Sequence, residues 1–510
     1  MRQPQKFYLS SVLSLTNKIG KPLPVKIIRN HRQISKVFIT IGCAWVYAFA
    51  SAMADSSELL STLKDQKSVA VTIYNNDLAL VKDFRHIDIA NGEFNLAWRD
   101  VSALIRPETA LLRSIVDPTG LTVLEQNFNF DLLTPQSLLN KYAGKTVSVM
   151  RVNPATGVES KESATVLAVN EGVVLKFADR IETGMPGRIT FENVPGNLRD
   201  RPTLVMQGTI TGQSAQKLEL SYLTGGLSWK ADYVAELNDR DERMDLSGWV
   251  TLVNTSGVSY ANAKVQLVAG DVNRVQNEVA RPLAMYAKGA MDAAAPSMAQ
   301  EPLMEYHLYS LDRLTTIHEN QTKQVALLNA SDIPVRKELI LAGSDYYYFS
   351  GHGDLGQKNK ASVIVLFDNK QADRLGMPLP KGIIRVYKRD QSGNAQFVGE
   401  DSIDHTPKNE TVRLKLGYSF DVTAAKKQID FKSLNIGNNV NQFESAYEIV
   451  IKNAKKEAVE VIVQEPIPGD WKILEESHSH HKPVSNTAEW KVTVPAEASS
   501  TLKYRVRVKF

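Results

Sequence analysis

The sequence predicts a mainly β protein: several β-sandwich (immunoglobulin-like) modules, a small inserted β-barrel-like module, and few helices. Apolar residues alternate with polar ones at period two over most of the chain, and Gly, Pro and Asn clusters break that alternation at short intervals. Only one segment stands out with both a helix start signal and a helix stop signal.

Val69, Val71 and Ile73 alternate with other residues, Leu78 and Leu80 follow, then Ile87 and Ile89. Asn91-Gly92 has the composition of a two-residue hairpin turn, since both positions tolerate positive φ, and Phe94, Leu96 and Trp98 resume the alternation beyond it. The helix is expected at 134–142: Thr134 as N-cap, Pro135 in the first turn, Leu138 and Leu139 towards one face, and Gly144 at the C-terminal stop. From 144 to 198, short strands separated by Pro154-Ala155-Thr156-Gly157, Asn170-Glu171-Gly172 and Met185-Pro186-Gly187 suggest a small barrel or an open β-module.

A second β-block follows at 204–268, where Leu218, Leu220 and Tyr222 alternate and Trp249-Val250-Thr251-Leu252-Val253 forms an apolar run. Between 273 and 303 the composition shifts to Met285, Met291, Met298 and Ala293-Ala294-Ala295. Thioethers suit soft Cu(I), but these are too sparse for a metal tract, and the segment reads as a flexible Ala/Met-rich linker. Strands return at 304–440, and the last block, 441–510, is the most regular. There Tyr447, Ile449 and Ile451, then Val459, Val461 and Val463, then Trp490, Val492 and Val494, and finally Leu502, Tyr504, Val506 and Val508 keep strict alternation. That is the pattern of an immunoglobulin-like sandwich without its cysteine pair. The blocks before it are an N-terminal β-domain at 55–143, the small module at 144–198 and a sandwich portion at 199–272.

The first 54 residues carry eight basic side chains and no acidic one, and run into an apolar stretch at 37–50. With Ala52-Met53-Ala54 closing it, this is the pattern of a signal peptide cleaved after Ala54; an uncleaved anchor is the alternative, because the run approaches a spanning length. The expected location is periplasmic or secreted. Cys43 is the single cysteine and lies in that stretch, so the mature chain would hold itself together by packing alone. Without the eight basic residues of the export segment, 52 of the 60 basic side chains remain against 56 acidic ones, a net charge of −4 that gives no field to draw in nucleic acid.

The alternating last strand ending in Phe510 also fits the end of an outer-membrane β-barrel, with Lys503, Arg505, Arg507 and Lys509 on its other face. The short, irregularly spaced strands argue against that alternative.

Three segments carry a family resemblance: Tyr222-Leu223-Thr224-Gly225-Gly226-Leu227-Ser228-Trp229-Lys230-Ala231-Asp232-Tyr233, Gly248-Trp249-Val250-Thr251-Leu252-Val253-Asn254-Thr255-Ser256-Gly257, and Ala261-Asn262-Ala263-Lys264-Val265-Gln266-Leu267-Val268-Ala269-Gly270-Asp271-Val272-Asn273. Thr322-Lys323-Gln324-Val325, Gly399-Glu400-Asp401-Ser402-Ile403-Asp404-His405-Thr406-Pro407 and Pro466-Ile467-Pro468-Gly469-Asp470-Trp471 add to it. The chain resembles mucoidy-inhibitor-A-like bacterial envelope proteins, which carry an uncharacterised conserved domain (domain of unknown function 4139). The resemblance implies no particular reaction; the inherited name suggests a tie to exopolysaccharide.

Asp404-His405 is the best acid/base candidate, with Glu400, Asp401 and Glu410 nearby, because a histidine beside carboxylates can be tuned to move protons near neutral pH. Its bland counterpart is a turn stabilised by Asp and Thr side chains. Trp229 and Trp249 are candidate sugar platforms or core residues. His478, His480 and His481 form the histidine cluster, a weak metal candidate or a solvated loop. No phosphate loop, G-x-S-x-G elbow or H-E-x-x-H helix occurs, and no cofactor is expected. The leading expectation is a non-catalytic envelope module for a protein or polysaccharide partner. An envelope-polymer hydrolase working through Asp404 and His405 is the second reading, and the outer-membrane barrel the third.

Overall fold

The computed structural model describes residues 58–196, 198–212, 215–270, 272–273, 298–434 and 441–510. The expected signal peptide with Cys43, and residues 274–297 of the Ala/Met tract, lie outside the described residues. At the end of that tract Met298 is buried and Ala299–Leu303 is a strand paired with Tyr306–Ser310. The described chain is mainly strand, with a single α-helix, Pro135–Lys141. Thr134 caps it by accepting the Ser137 N–H at 3.0 Å, and Gly144 stops it with φ +80°.

Two sheets face each other in the N-terminal region. One contains Gly92–Arg99 and Thr203–Ile210; the other contains Gln66–Tyr74, Leu78–Asp88, Ala215–Thr224 and Tyr260–Ala269. Leu96, Trp98, Leu204 and Met206 from the first meet Val71, Val81, Leu218 and Leu220 from the second in one buried cluster. The Asn91-Gly92 hairpin expectation is corrected here. Leu78–Asp88 pairs with Gln66–Tyr74 and Ala215–Thr224, whereas Gly92–Arg99 pairs with Leu59–Ser61 and Thr203–Ile210. Gly92, at φ +110°, therefore carries the chain across to the facing sheet. The tight turn lies earlier, where Asn76 (φ 68°) and Asp77 (φ 53°) join Tyr74 to Leu78.

Residues 146–190 form a five-stranded sheet whose outermost strands, Ile181–Thr183 and Arg188–Thr190, do not pair with each other. Of the two forms its turns allow, this is the open one. Its own core joins Leu139 and Tyr142, at the helix, to Val147, Val149, Val166 and Leu175.

From Leu227 the chain enters a thirteen-stranded sheet. Ala395–Ile403, Gly382–Arg389, Leu227–Leu237, Arg243–Asn254, Gln321–Ala342, Asn359–Asp368 and Thr411–Ser433 succeed one another across it. The last of these returns beside the first, but no ladder joins them. Asp401 Oδ2 accepts the Lys415 backbone N–H at 2.7 Å instead, and Gly399 approaches Leu416 so closely that a Cβ would strike its carbonyl oxygen. The sheet is rolled up without closing. Tyr233, Ile384, Val386, Phe367 and Leu414 fill the inside, while Lys230, Arg385 and Glu400 lie on the outside. Among the described residues no sheet closes into a barrel, and outward charges are the reverse of a lipid-facing surface; the outer-membrane barrel reading is set aside. No helix among them is long and apolar enough to cross a membrane.

Gln321–Ala342 and Thr411–Ser433 are 22 and 23 residues long. At about 3.3 Å per residue each extends roughly 70 Å. Their leading halves belong to the rolled sheet and their trailing halves to the C-terminal sandwich, where they pair with Val459–Pro466 and Gln442–Asn453. In that sandwich Tyr447, Ile449, Ile451, Trp490, Val492, Leu502, Tyr504 and Val506 are buried together. The basic face of the last strand meets carboxylates across the sheet: Lys503 with Glu448 (2.8 Å), Arg505 with Asp430 (2.7 Å) and Glu444 (3.1 Å).

A buried ion pair sits inside this sandwich. Lys426 Nζ donates to both Glu465 oxygens at 2.6 Å, Tyr348 donates to Oε2 at 2.9 Å, and the ammonium lies 4.2 Å from the Tyr347 ring centre. Burial pushes the Lys426 ammonium below the usual lysine range, and Glu465 pulls it back up. The carboxylate also fills the space where Gly343 would carry a side chain. Removing one partner strands the other charge. Glu465→Leu is expected to cost about 3–5 kcal/mol in urea unfolding, while Lys426→Met combined with Glu465→Leu recovers most of it. A double variant no more stable than the single one would overturn this account.

Candidate functional site

The first two segments that carry the family resemblance meet at a corner between the N-terminal sandwich and the rolled sheet. Gly226, at φ +77°, turns the chain from one to the other, and a Cβ there would lie 2.6 Å from the Ser256 Cα. Ser102 Oγ lies 2.6 Å from Thr224 Oγ1 and donates to the Ser256 carbonyl at 2.9 Å, and Ser256 Oγ lies 3.1 Å from the Tyr260 hydroxyl. Asn254, fully buried, ends its strand by donating to the Val258 carbonyl (2.8 Å) and accepting the Ser256 N–H (3.1 Å). Asn453 repeats the device in the C-terminal sandwich, donating to the Glu457 carbonyl (2.8 Å) and accepting the Lys455 N–H (3.0 Å). Asn254 and Asn453 thus satisfy backbone groups at strand ends.

Asp404 and His405 follow the strand Ala395–Ile403. Asp404 is exposed, and its carboxylate accepts the His405 backbone N–H at 2.8 Å. Thr406 Oγ1 donates to the Asp404 carbonyl at 2.8 Å, and the Lys381 N–H donates to His405 Nδ1 at 3.2 Å. This is the side-chain-to-backbone geometry of a turn, further fixed by the bridge between Leu379 and Thr406.

The histidines do not converge. His480 and His481 lie on the strand His480–Val484, not in a loop, and face Trp490 and Glu489 respectively, so their side chains leave opposite faces. His480 Nδ1 lies 2.8 Å from Glu476 Oε2, which also accepts from Trp490 Nε1 at 2.9 Å. His481 Nε2 lies 3.2 Å from Glu489, and His478 Nδ1 lies 2.9 Å from Ser477 Oγ. Among the described residues no group of three or more His, Cys, Asp or Glu is placed to hold a metal ion.

The two tryptophans differ as well. Trp229 pairs with Leu252 and is buried in the main core, 6 % exposed, whereas Trp249 pairs with Asp232 and stands half-buried on the outer face of the rolled sheet. Beside Trp249, Asp232 accepts from Arg385 Nη1 (3.0 Å) and Thr251 Oγ1 (3.1 Å), with Lys230 Nζ at 3.4 Å. Arg385 also pairs with Glu400 at 3.1 Å. Farther along, Tyr387 packs edge-to-face on Phe397 with ring centres 5.7 Å apart, and Phe397 is 55 % exposed. Two strand spacings and four residues separate Trp249 from Tyr387, roughly 16 Å. The outer face thus carries aromatic groups at both ends of a fixed hydrogen-bonding network.

Arg385, Tyr387 and Phe397 are absent from the sequence-derived candidates. The alternation of Ile384 and Val386 marks Arg385 and Tyr387 as outward. Their proximity to Trp249 depends on the parallel pairing of Leu227–Leu237 with Gly382–Arg389, which no local pattern encodes.

Asp404→Ala is expected to lower stability by about 1 kcal/mol, the value of one side-chain-to-backbone hydrogen bond, in denaturant unfolding. A loss above about 3 kcal/mol would show a deeper role for the carboxylate.

No curated protein matches the chain. The family model described as Domain of unknown function (DUF4139) matches residues 218–510, a span that takes in the rolled sheet, its outer face and the C-terminal sandwich. With that model covering more than half of its length, the chain belongs to the DUF4139 family.

Proposed function

We infer that this chain is a non-catalytic binding module of the bacterial envelope, exported by its N-terminal segment, that holds an extended polysaccharide across the outer face around Trp249. The observation that carries the reading is the placement of Trp249 and of the Tyr387–Phe397 aromatic pair on the same outward sheet face. Aromatic rings stack on the apolar faces of sugar rings, and a separation of roughly 16 Å suits several consecutive sugars better than one. Arg385 and Glu400 lie between them as hydrogen-bonding groups for hydroxyls, with Arg385 held from below by the buried Asp232, which also accepts from the buried Thr251.

Two further observations favour binding over hydrolysis. The Asp404 carboxylate is engaged by backbone, and Asp232 is neutralised by cations on two sides. The net charge of the chain without its export segment, −4, gives no field for a polyanionic nucleic acid. The resemblance to mucoidy-inhibitor-A-like proteins points to an exopolysaccharide as the polymer. A protein partner is the second reading, favoured by partly exposed Phe349 and Phe510, whose stacked ring centres lie 4.7 Å apart.

Trp249→Ala is expected to weaken binding to purified envelope polysaccharide by about 2 kcal/mol, near thirtyfold in Kd, with Phe397→Ala smaller in the same direction. His405→Ala should leave binding unchanged. Titration calorimetry on these variants and on Phe349→Ala decides: equal affinity of Trp249→Ala and the parent chain sinks the reading. Loss of binding by Phe349→Ala instead moves the interface to the C-terminal sandwich.

A further inference from the structure

The inside of the rolled sheet does not fill to its end. Where Leu227–Leu237 stops, a cleft of about 280 Å³ opens, with Leu237, Leu339, Val363, Val365 and Leu416 as its apolar walls. It lies at the junction with the C-terminal sandwich, so residues of both line it. Mouths of rolled β-sheets are recurrent ligand positions because the surrounding ladder holds the walls apart without a ligand. At roughly 30 Å³ per water-sized volume, the cleft takes on the order of ten heavy atoms.

Its charge is one-sided. Lys337 and Lys388 both reach the single carboxylate of Asp241, at 2.5 and 2.6 Å. Lys455, presented by the turn that Asn453 fixes, lines the same cleft and makes no ion pair with any described residue. Three ammonium groups against one carboxylate leave a surplus of positive charge beside an apolar pocket. A purely apolar guest would leave that charge unanswered, and a purely polar anion would leave the walls unfilled. An amphipathic anion answers both.

We propose that this cleft binds a medium-chain acyl anion, its chain of about eight carbons against the apolar walls and its head group on Lys455. The site lies on the inside of the rolled sheet and is independent of the polysaccharide reading of the outer face. A free fatty acid and a phospholipid, whose anionic phosphodiester lies near its ester-linked acyl chains, share this chemistry.

Titration of the full chain with octanoate tests the proposal, with 1-octanol as the uncharged control and dihexanoyl phosphatidylglycerol as the lipid probe. The expected result is saturable binding of octanoate at one site. Lys455→Ala should weaken octanoate about tenfold and leave 1-octanol unaffected. Val398→Trp, at a partly exposed lining position, should fill the cleft and remove both ligands. Competition by the short-chain lipid assigns the site to a lipid, and its absence assigns it to a free fatty acid. Octanoate that fails to saturate, or that binds both variants as it binds the parent chain, overturns the proposal. Thermal unfolding of each variant separates loss of the cleft from loss of the fold.

Discussion

Gln321–Ala342 and Thr411–Ser433 give their leading halves to one hydrophobic core and their trailing halves to another. A β-strand cannot bend freely while its backbone groups are paired on both sides, because each unpaired buried group costs as much as a lost hydrogen bond. The rolled sheet and the C-terminal sandwich are therefore joined by ladder, with no linker between them. That constraint fixes the registers on which the outer face depends, and it places the turn bearing Lys455 at the mouth of the rolled sheet.

Much of the architecture follows from alternation alone. The strands Gln442–Asn453, Thr487–Val494 and Ala498–Lys509 are legible because Tyr447, Ile449 and Ile451, then Trp490, Val492 and Val494, then Leu502, Tyr504 and Val506 recur at every second position on the buried side. The helix is legible because Thr134, Pro135 and Gly144 act locally. The alternation becomes hard to follow where the core admits charge. Asp83 and Arg85 occupy inward positions between Val81 and Ile87, so the period looks broken where it in fact continues. Arg85 is fully buried, donates to Asp83 at 2.8 Å and to the Arg99 carbonyl at 2.7 Å, and lies 4.5 Å from the Trp98 ring centre. Asn91-Gly92 misleads for a related reason: turn chemistry states that the chain reverses, but not which sheet it joins.

The candidate residues show the same division. The turn at Asp404 and Thr406 is written in adjacent side chains, and the hydrogen bonds there are the ones such residues make. Trp249 could be noticed in the sequence, but its separation from Trp229 by the sheet itself requires the register. The glycines and asparagines of the family motifs draw the eye as a site would. Gly226 and Asn254 sit at a corner where backbone groups run out of ladder partners; Asn254 supplies the missing bonds there in the rolled sheet, and Asn453, outside the motifs, does the same in the C-terminal sandwich.

Continuous strands also decide how the molecule carries load. Tension applied along Gln321–Ala342 or Thr411–Ser433 runs parallel to the strand axes and perpendicular to the interstrand hydrogen bonds, which must then slide together and cannot break in succession. A chain of modules on flexible linkers lengthens under a small pull by straightening those linkers. Here the corresponding slack is missing between residue 321 and the C-terminal sandwich, and a polymer held on the outer face would feel a stiff support.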